Sequence, residues 1–312
     1  MSGVSNRMHL ITLKDWSADD ILQVIDEGMA LKKDRSRGAA SLAGQALALL
    51  FQKTSTRTRC SGEISMAQLG GQVVYLDWRT TNFGLADLRD EIRVLDSYFQ
   101  FIVLRFLKHA DVVLAGEGAS VPVMNGCCDR YHPLQALADL QTIREKLGRL
   151  EGVELTYVGV HNNVCNSLIA AGMKVGMKVT VVAPETNPAA VDEMLLREAA
   201  DKGCYETSED VQAAARRSDV VYTDTWIDME YFDNPSFAAE RQRRIELFKP
   251  FQLNAALLEG ADTLVMHCLP AHRGYEIDGD LLEDPRSVVF DQSENRLHSQ
   301  KAVLLKVAGK LD

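Results

Sequence analysis

The chain lacks most of what marks a secreted, membrane or nucleic-acid-binding protein. Its six cysteines (Cys60, Cys127, Cys128, Cys165, Cys204 and Cys268) include no CxxC pair. Neither a disulfide framework nor structural zinc is expected, and a reducing cytoplasm fits. No apolar run approaches the roughly 18 residues that a transmembrane helix needs. Near the start, Asn6, Arg7 and His9 interrupt the apolar residues, which does not read as a secretory signal. Positive charge is in deficit: 34 basic against 44 acidic residues give a net charge of −10. That balance argues against nucleic acid or an anionic membrane as the main partner. No GxGxxG follows any predicted strand, which removes the common dinucleotide-binding reading of an alternating chain.

What is present reads as a globular α/β protein. Hydrophobic residues make up 46% and charged residues 25% of the chain, an ordinary balance. With 312 residues, two domains of about 150 are expected. The stretch from Phe51 to Arg59 stands out. Six consecutive apolar residues, Ala46 to Phe51, predict a buried strand. Ser55, Thr56, Arg57 and Thr58 follow, then Ile64, Met66 and Leu69 at helical spacing, closed by Gly70-Gly71. Hydroxyls and a guanidinium therefore lie where a strand turns into a helix. Free backbone N–H groups at a helix start suit a phosphate, and a guanidinium can hold two of its oxygens. Taken alone, the segment also reads as a helix cap with solvated arginines.

Further strands are predicted at Gln72–Leu76, Phe101–Arg105 and Val121–Asn125, the last near an edge because of Pro122. Helices are predicted from Ser17 to about Lys33, from Asp87 to Phe99, and from His132 to Lys146. In the second half the predicted strands are Glu154–Gly159, Lys178–Ala183, Val220–Asp224, Thr263–His267 and Ser287–Phe290. Helices are expected around Asn163–Val175, Asn187–Lys202, Ser208–Arg217 and Ser293–Lys306. This alternation implies two doubly wound parallel sheets covered on both faces, with ligands at the carboxyl ends of strands.

Most of the polar clusters fall at such ends. The first half offers Ser55 to Thr58, Arg105, His132 and Gln135; the second offers Asn162-Asn163, Asp224, and His267 to Pro270. Singly, Arg105 reads as a surface ion pair, His132 as a core imidazole, Asn163 as a helix cap and Cys268 as a small buried residue. Together, the first-half groups point to one shared anion site.

With these residues laid out, the chain resembles the aspartate/ornithine carbamoyltransferase family along essentially its whole length, and its ornithine branch in particular. The resemblance rests on residues 51–59, on His132-Pro133-Leu134-Gln135, on Met266 to Ala271 with Cys268 where the aspartate branch has proline, and on Phe290 to Arg296. It implies a carbamoyl-phosphate-binding domain over 1–138, with the last helix (about 293–312) packed back on it. An amine-binding domain over 139–292 and an active site in the cleft between the two are implied as well. Ser55, Thr56, Arg57 and Thr58 would cradle the phosphate. Arg105, His132 and Gln135 would reach the carbamoyl oxygen. Cys268 and Leu269 would receive the attacking amine and the carbamoyl nitrogen, and Arg296 would brace the carbamoyl group. Asn82 stands where a loop usually carries glutamine toward a neighbour in a homotrimer. Asn163, Asp224, Asp228 and Met229 would hold the amine substrate. No metal and no cofactor is implied.

The implied reaction moves a carbamoyl group from carbamoyl phosphate to ornithine, giving citrulline and phosphate as in arginine metabolism. Departures are concentrated around the second substrate, where His161 and Asp228 are unusual; elsewhere Gly62 and Gln52 replace a usual phenylalanine and glutamate. Asp224 and Asp228 together would favour an ammonium and repel a carboxylate. A diamine such as putrescine, or another amino acid, is therefore an alternative acceptor. A chain that binds carbamoyl phosphate without turning it over is a third reading.

Overall fold

The structure is a computed structural model and describes residues 8–227, 232 and 234–311. The chain divides into two compact units, Met1–Gln141 with Glu294–Asp312, and Thr142–Ser293.

In the first unit, α1 (Ala18–Lys33) starts at a reciprocal cap. The Ser17 side chain accepts from the Asp20 backbone N–H, and the Asp20 carboxylate accepts from that of Ser17. Next come β1 (Ala46–Phe51), α2 (Thr56–Gln68), β2 (Gln72–Asp77), α3 (Leu88–Asp96), β3 (Phe101–Arg105), α4 (His109–Gly118), β4 (Val123–Cys127) and α5 (Pro133–Leu147). The four strands are parallel in the order β2-β1-β3-β4. Strand β1 therefore has its successor on one side and β3 on the other. Such a switch in strand order opens a crevice at the carboxyl ends. Phe51 pairs with Arg105, so the polar residues after β1 and the last residue of β3 come together by register. Strand β4 lies at the sheet edge, as expected, but starts after Pro122, and Leu10 forms a single parallel bridge to Met124.

The second unit carries β5 (Glu154–Val158), α6 (Asn163–Val175), β6 (Lys178–Val182), α7 (Glu193–Asp201), β7 (Tyr205–Thr207), α8 (Val211–Arg217), β8 (Val220–Thr223), α9 (Ala238–Phe248), β9 (Leu264–His267) and α10 (Gly279–Leu282). Its sheet is parallel in the order β7-β6-β5-β8-β9, with the switch between β5 and β8. Val158 pairs with Thr223, and Thr223 with His267, so the segments after three adjacent strands start level with one another. The final helix, α11, spans Val289–Val307.

Some elements differ from the expectation. Ser287–Phe290 is not a strand: Ser287 makes one isolated bridge to Val265, and α11 has begun by Val289. An apolar run of three residues carries no period, and Phe290 is in fact 59% exposed. The helix expected over Asn187–Lys202 is a 3-10 turn, Pro188–Ala190, followed by α7 capped by Asp192. Helices α4, α9 and α10 and the three-residue strand β7 were not foreseen.

Candidate functional site

The anion site of the first unit is built outward from the start of α2. Ser55 is its N-cap in extended conformation (φ −163°), and its Oγ accepts from the Thr58 backbone N–H at 3.3 Å. The first turn carries no acid, so its partial positive charge is uncompensated locally. Ser55 and Arg57 are half-buried and Thr56 is exposed, while Thr58 is fully buried.

Buried Arg296 on α11 joins these groups to α5. It donates to Gln135 Oε1 through Nη1 at 2.6 Å, and to Thr58 Oγ1 through Nη2 at 3.2 Å. Gln135 in turn donates from Nε2 to the buried Asp139 carboxylate at 2.8 Å. His132, 8% exposed, stands at the head of α5, where its carbonyl accepts from the Gln135 backbone N–H at 3.0 Å. Burial first, then the guanidiniums of Arg296 and Arg105, then Lys53 and Arg57, hold its imidazole well below the ordinary histidine pKa. His132 is therefore neutral at physiological pH in a field set by four cations, a field that a dianion would neutralise. Arg105 ends β3 with its Nε buried and not hydrogen-bonded among the described residues.

The register between β3 and β4 shifts between Leu104 and Arg105, which leaves Gly126 as the extra residue between Asn125 and Cys127. Such bulges re-aim side chains beside sites. A Cβ on Gly126 would lie 2.9 Å from Val103 Cγ1, 3.0 Å from the Leu104 carbonyl oxygen and 3.3 Å from Thr58 Cγ2. Gly126→Ala should therefore cost about 1–3 kcal/mol of stability and weaken phosphate binding, because Thr58 must give way. Urea unfolding with phosphate titration checks this; unchanged phosphate affinity would show that the Thr58 contact does not shape the site. Gln52, the substitute for the usual glutamate, accepts from the Leu107 backbone N–H at 2.7 Å and so ties the turns after β1 and β3.

Three adjacent strand ends supply a second cluster, in the second unit. The Asp224 carboxylate accepts from Asn162 Nδ2 at 2.8 Å, from the Thr225 backbone N–H at 2.8 Å and from the Cys268 thiol at 3.0 Å. Asn162, not Asn163, is the N-cap of α6; its Oδ1 accepts from the Val164 and Cys165 backbone N–H groups. Asn163 is the first helical residue and is half-buried. His267 Nδ1 accepts from the Leu269 backbone N–H at 2.8 Å, so Nε2 carries the proton and donates to Glu276 at 3.1 Å. Burial pushes the Glu276 carboxyl up, but hydrogen bonds from His267 and His272 outweigh it and hold the pKa at about 2. This chain fixes Leu269, which has a left-handed φ of 53°. Such a conformation costs a branched residue roughly 1–2 kcal/mol and points to a functional constraint. Asp224, His267 and Cys268 offer ligand atoms within 4.8 Å of one another. Both imidazole nitrogens are already engaged, however, which disfavours a metal there.

Other expected residues are placed differently. His161 is 4% exposed, and its Nε2 bonds Asn166 Oδ1 at 2.7 Å on α6. Its ring is thus bonded inward to α6. Asn82 is exposed in the loop after β2 and makes no cap hydrogen bond. Asp228 and Met229 lie outside the described residues. Gly126 and Asp139 were not singled out as site residues, and Asn162 was noted only together with Asn163 in the cluster after β5. The spacing Gln135-x-x-x-Asp139 was visible as an i,i+4 pair on a helix, but nothing marked it as buried.

Residues 8–145 match the family described as aspartate/ornithine carbamoyltransferase, carbamoyl-P binding domain, and residues 151–307 match its Asp/Orn binding domain. The chain belongs to the aspartate/ornithine carbamoyltransferase family. Within that family it is 42% identical, over 96% of both chains, to the anabolic ornithine carbamoyltransferase of Pyrococcus furiosus. It is 39% identical to the ornithine carbamoyltransferase of Archaeoglobus fulgidus, over 97% of this chain and 98% of that protein. The solved structure of the ornithine carbamoyltransferase from Thermus thermophilus superposes with a TM-score of 0.85 at 37% identity, covering 97% of this chain and 99% of that one.

His132 and His161 make one prediction about the fold. Burial holds His161 below its ordinary pKa as well, partly offset by Asn166. The unfolded chain takes up protons near pH 6.5 where the folded chain does not. Stability is therefore full above pH 6.5 and should fall as the pH drops toward the folded-state values, by up to about 1.4 kcal/mol per pH unit for each residue. His132→Asn should make the fall shallower. Equal slopes for the two proteins between pH 7.5 and 5.5 in urea unfolding would contradict the assignment.

Proposed function

We propose that this chain transfers the carbamoyl group of carbamoyl phosphate to the side-chain amine of ornithine, releasing citrulline and phosphate. The observation that carries this reading is the neutral, buried His132 among Arg296, Arg105, Lys53 and Arg57, beside an acid-free helix start.

In this reading the phosphate rests on the Ser55–Thr58 turn with Arg57 and Arg105 as counter-charges. His132, neutral and able to donate, faces the carbamoyl oxygen together with Arg105. Gln135 has given its donor end to Asp139, so it meets the carbamoyl group differently from the role first implied: Oε1 accepts from the carbamoyl nitrogen. Leu269 and Cys268 offer carbonyl oxygens to the same nitrogen, and Arg296 braces the group through Gln135. Ornithine presents one amine uncharged for attack and keeps the other as an ammonium, which Asp224 would hold, with Asn163 alongside; Asp228 and Met229 remain expected there. Attack forms the C–N bond and an oxyanion, the oxyanion collapses as the bond from carbon to the phosphate oxygen breaks, and the amine's proton passes to the departing phosphate. Fixed donors aimed at the oxyanion are each worth about 3–4 kcal/mol. Neither a metal nor a cofactor enters this scheme.

A cytoplasmic homotrimer completes the proposal. None of the six cysteines, all among the described residues, is in a disulfide, which suits a reducing compartment. Exposed Leu85, Val94 and Tyr98, in the loop after β2 and on or beside α3, supply apolar surface for a neighbouring copy, toward whose site Asn82 would extend. No helix among the described residues is long and apolar enough to cross a membrane.

Steady-state assays with carbamoyl phosphate and a panel of ornithine, putrescine and lysine test the acceptor. Ornithine should have the highest kcat/KM. A preference for putrescine would overturn the choice of acceptor, and turnover with none of the amines would overturn the enzymatic reading.

A further inference from the structure

A carboxamide has two ends of nearly equal shape and opposite chemistry, and which end faces a ligand decides what the ligand must be. In Gln135 the choice is forced by its two charged neighbours. An ionised Asp139 only accepts and Arg296 only donates, so Nε2 faces Asp139 at 2.8 Å and Oε1 faces Arg296 at 2.6 Å. All three residues are buried: Asp139 is 0%, Gln135 2% and Arg296 3% exposed. Asp139 lies one helical turn beyond Gln135 on α5, among the buried apolar Ala136, Leu137, Ala138 and Leu140. A carboxylate in such packing is costly unless it is hydrogen-bonded and balanced by charge. Through Gln135 it is linked to the guanidinium of Arg296.

We propose that Asp139 is a positioning residue that sets the polarity of the Gln135 amide, and thereby makes the anion site select a carbamoyl over an acetyl phosphate. The inference rests on the function proposed above. With Oε1 held inward, the site offers an acceptor that the carbamoyl NH2 satisfies and a methyl group cannot. Arg296 fills one lone pair of Oε1, and the carbamoyl NH2 fills the second, which a methyl group leaves without a donor. A buried polar group short of its partner gives polar sites discrimination beyond what shape alone provides. Phosphate itself makes no use of Oε1, so the selectivity is separable from anion binding.

The test measures the dissociation constants of carbamoyl phosphate, acetyl phosphate and inorganic phosphate for the wild type, Asp139→Asn and Asp139→Leu, with the thermal midpoint of each. The wild type should prefer carbamoyl over acetyl phosphate by about a hundredfold. Asp139→Leu should lower that ratio about tenfold by weakening carbamoyl phosphate alone, while inorganic phosphate binds as well or better because a negative charge is gone. Asp139→Asn, which keeps an oxygen acceptor for Nε2, should restore the ratio to within about threefold. A merely structural role would weaken all three ligands together. That outcome, or an unchanged ratio in Asp139→Leu, overturns the proposal. If Asp139→Leu does not fold, Asp139→Asn decides: a retained ratio supports amide positioning, and a tenfold fall overturns it. A wild type that does not discriminate would instead sink the functional reading, and this inference with it.

Discussion

Arg57→Gly should lower kcat about a thousandfold while leaving the thermal midpoint within about 4 °C of the parent. The residue sits in the first turn of α2, half-buried, directly after the Ser55 cap. Its charge reaches His132 but ranks behind Arg296, Arg105 and Lys53 there. In the proposed scheme Arg57 faces the phosphate. Removing a ligand-facing guanidinium takes away a counter-charge for the departing phosphate. The Ser55 cap and the parallel pairing of β1 do not depend on it. Loss of activity with intact stability is the signature; activity within tenfold of the parent would move Arg57 out of the reaction. Arg296→Met is an instructive contrast. It should cost both activity and several kcal/mol of stability, since it strands Gln135 Oε1 in a buried position.

Asp224→Asn should raise KM for ornithine about a hundredfold and leave the dissociation constant of carbamoyl phosphate unchanged. The carboxylate accepts from Asn162, Thr225 and Cys268, an arrangement suited only to acceptor oxygens. An asparagine there must turn its NH2 toward one of those donors, and the charge is lost as well. At an effective dielectric of about 20, a charge pair about 4 Å apart is worth about 4 kcal/mol before screening, of which a hundredfold loss takes roughly two thirds. Equal weakening of both substrates would mean that Asp224 supports the fold instead of holding the ammonium.

The parts of this fold that were legible in the sequence are those where pattern and register coincide. Six apolar residues ending at Phe51 followed by Ser55 could only be a buried strand running into a capped helix. Phe101 to Arg105 was likewise bounded by its own chemistry. Legibility failed where an element is short, marginal or decided by a neighbour. Strand β7 is three half-exposed residues at a sheet edge, and α9 shows charge where an apolar stripe would have announced it. Val288-Val289-Phe290 looked like a strand because three apolar residues show neither period. In the site, residue types at strand ends were visible, but the bulge at Gly126 and the direction of the Gln135 amide arise from contacts between distant segments. Nor could the sequence show that His161, an unusual residue beside a motif, is buried and turned toward Asn166.

The most direct measurement follows the label. Carbamoyl phosphate enriched in 13C at its carbonyl, incubated with the enzyme and ornithine, should pass that carbon into the ureido group of citrulline, with one phosphate released for each citrulline formed. Phosphate release without labelled citrulline, or no consumption of carbamoyl phosphate above the uncatalysed rate, would contradict the account.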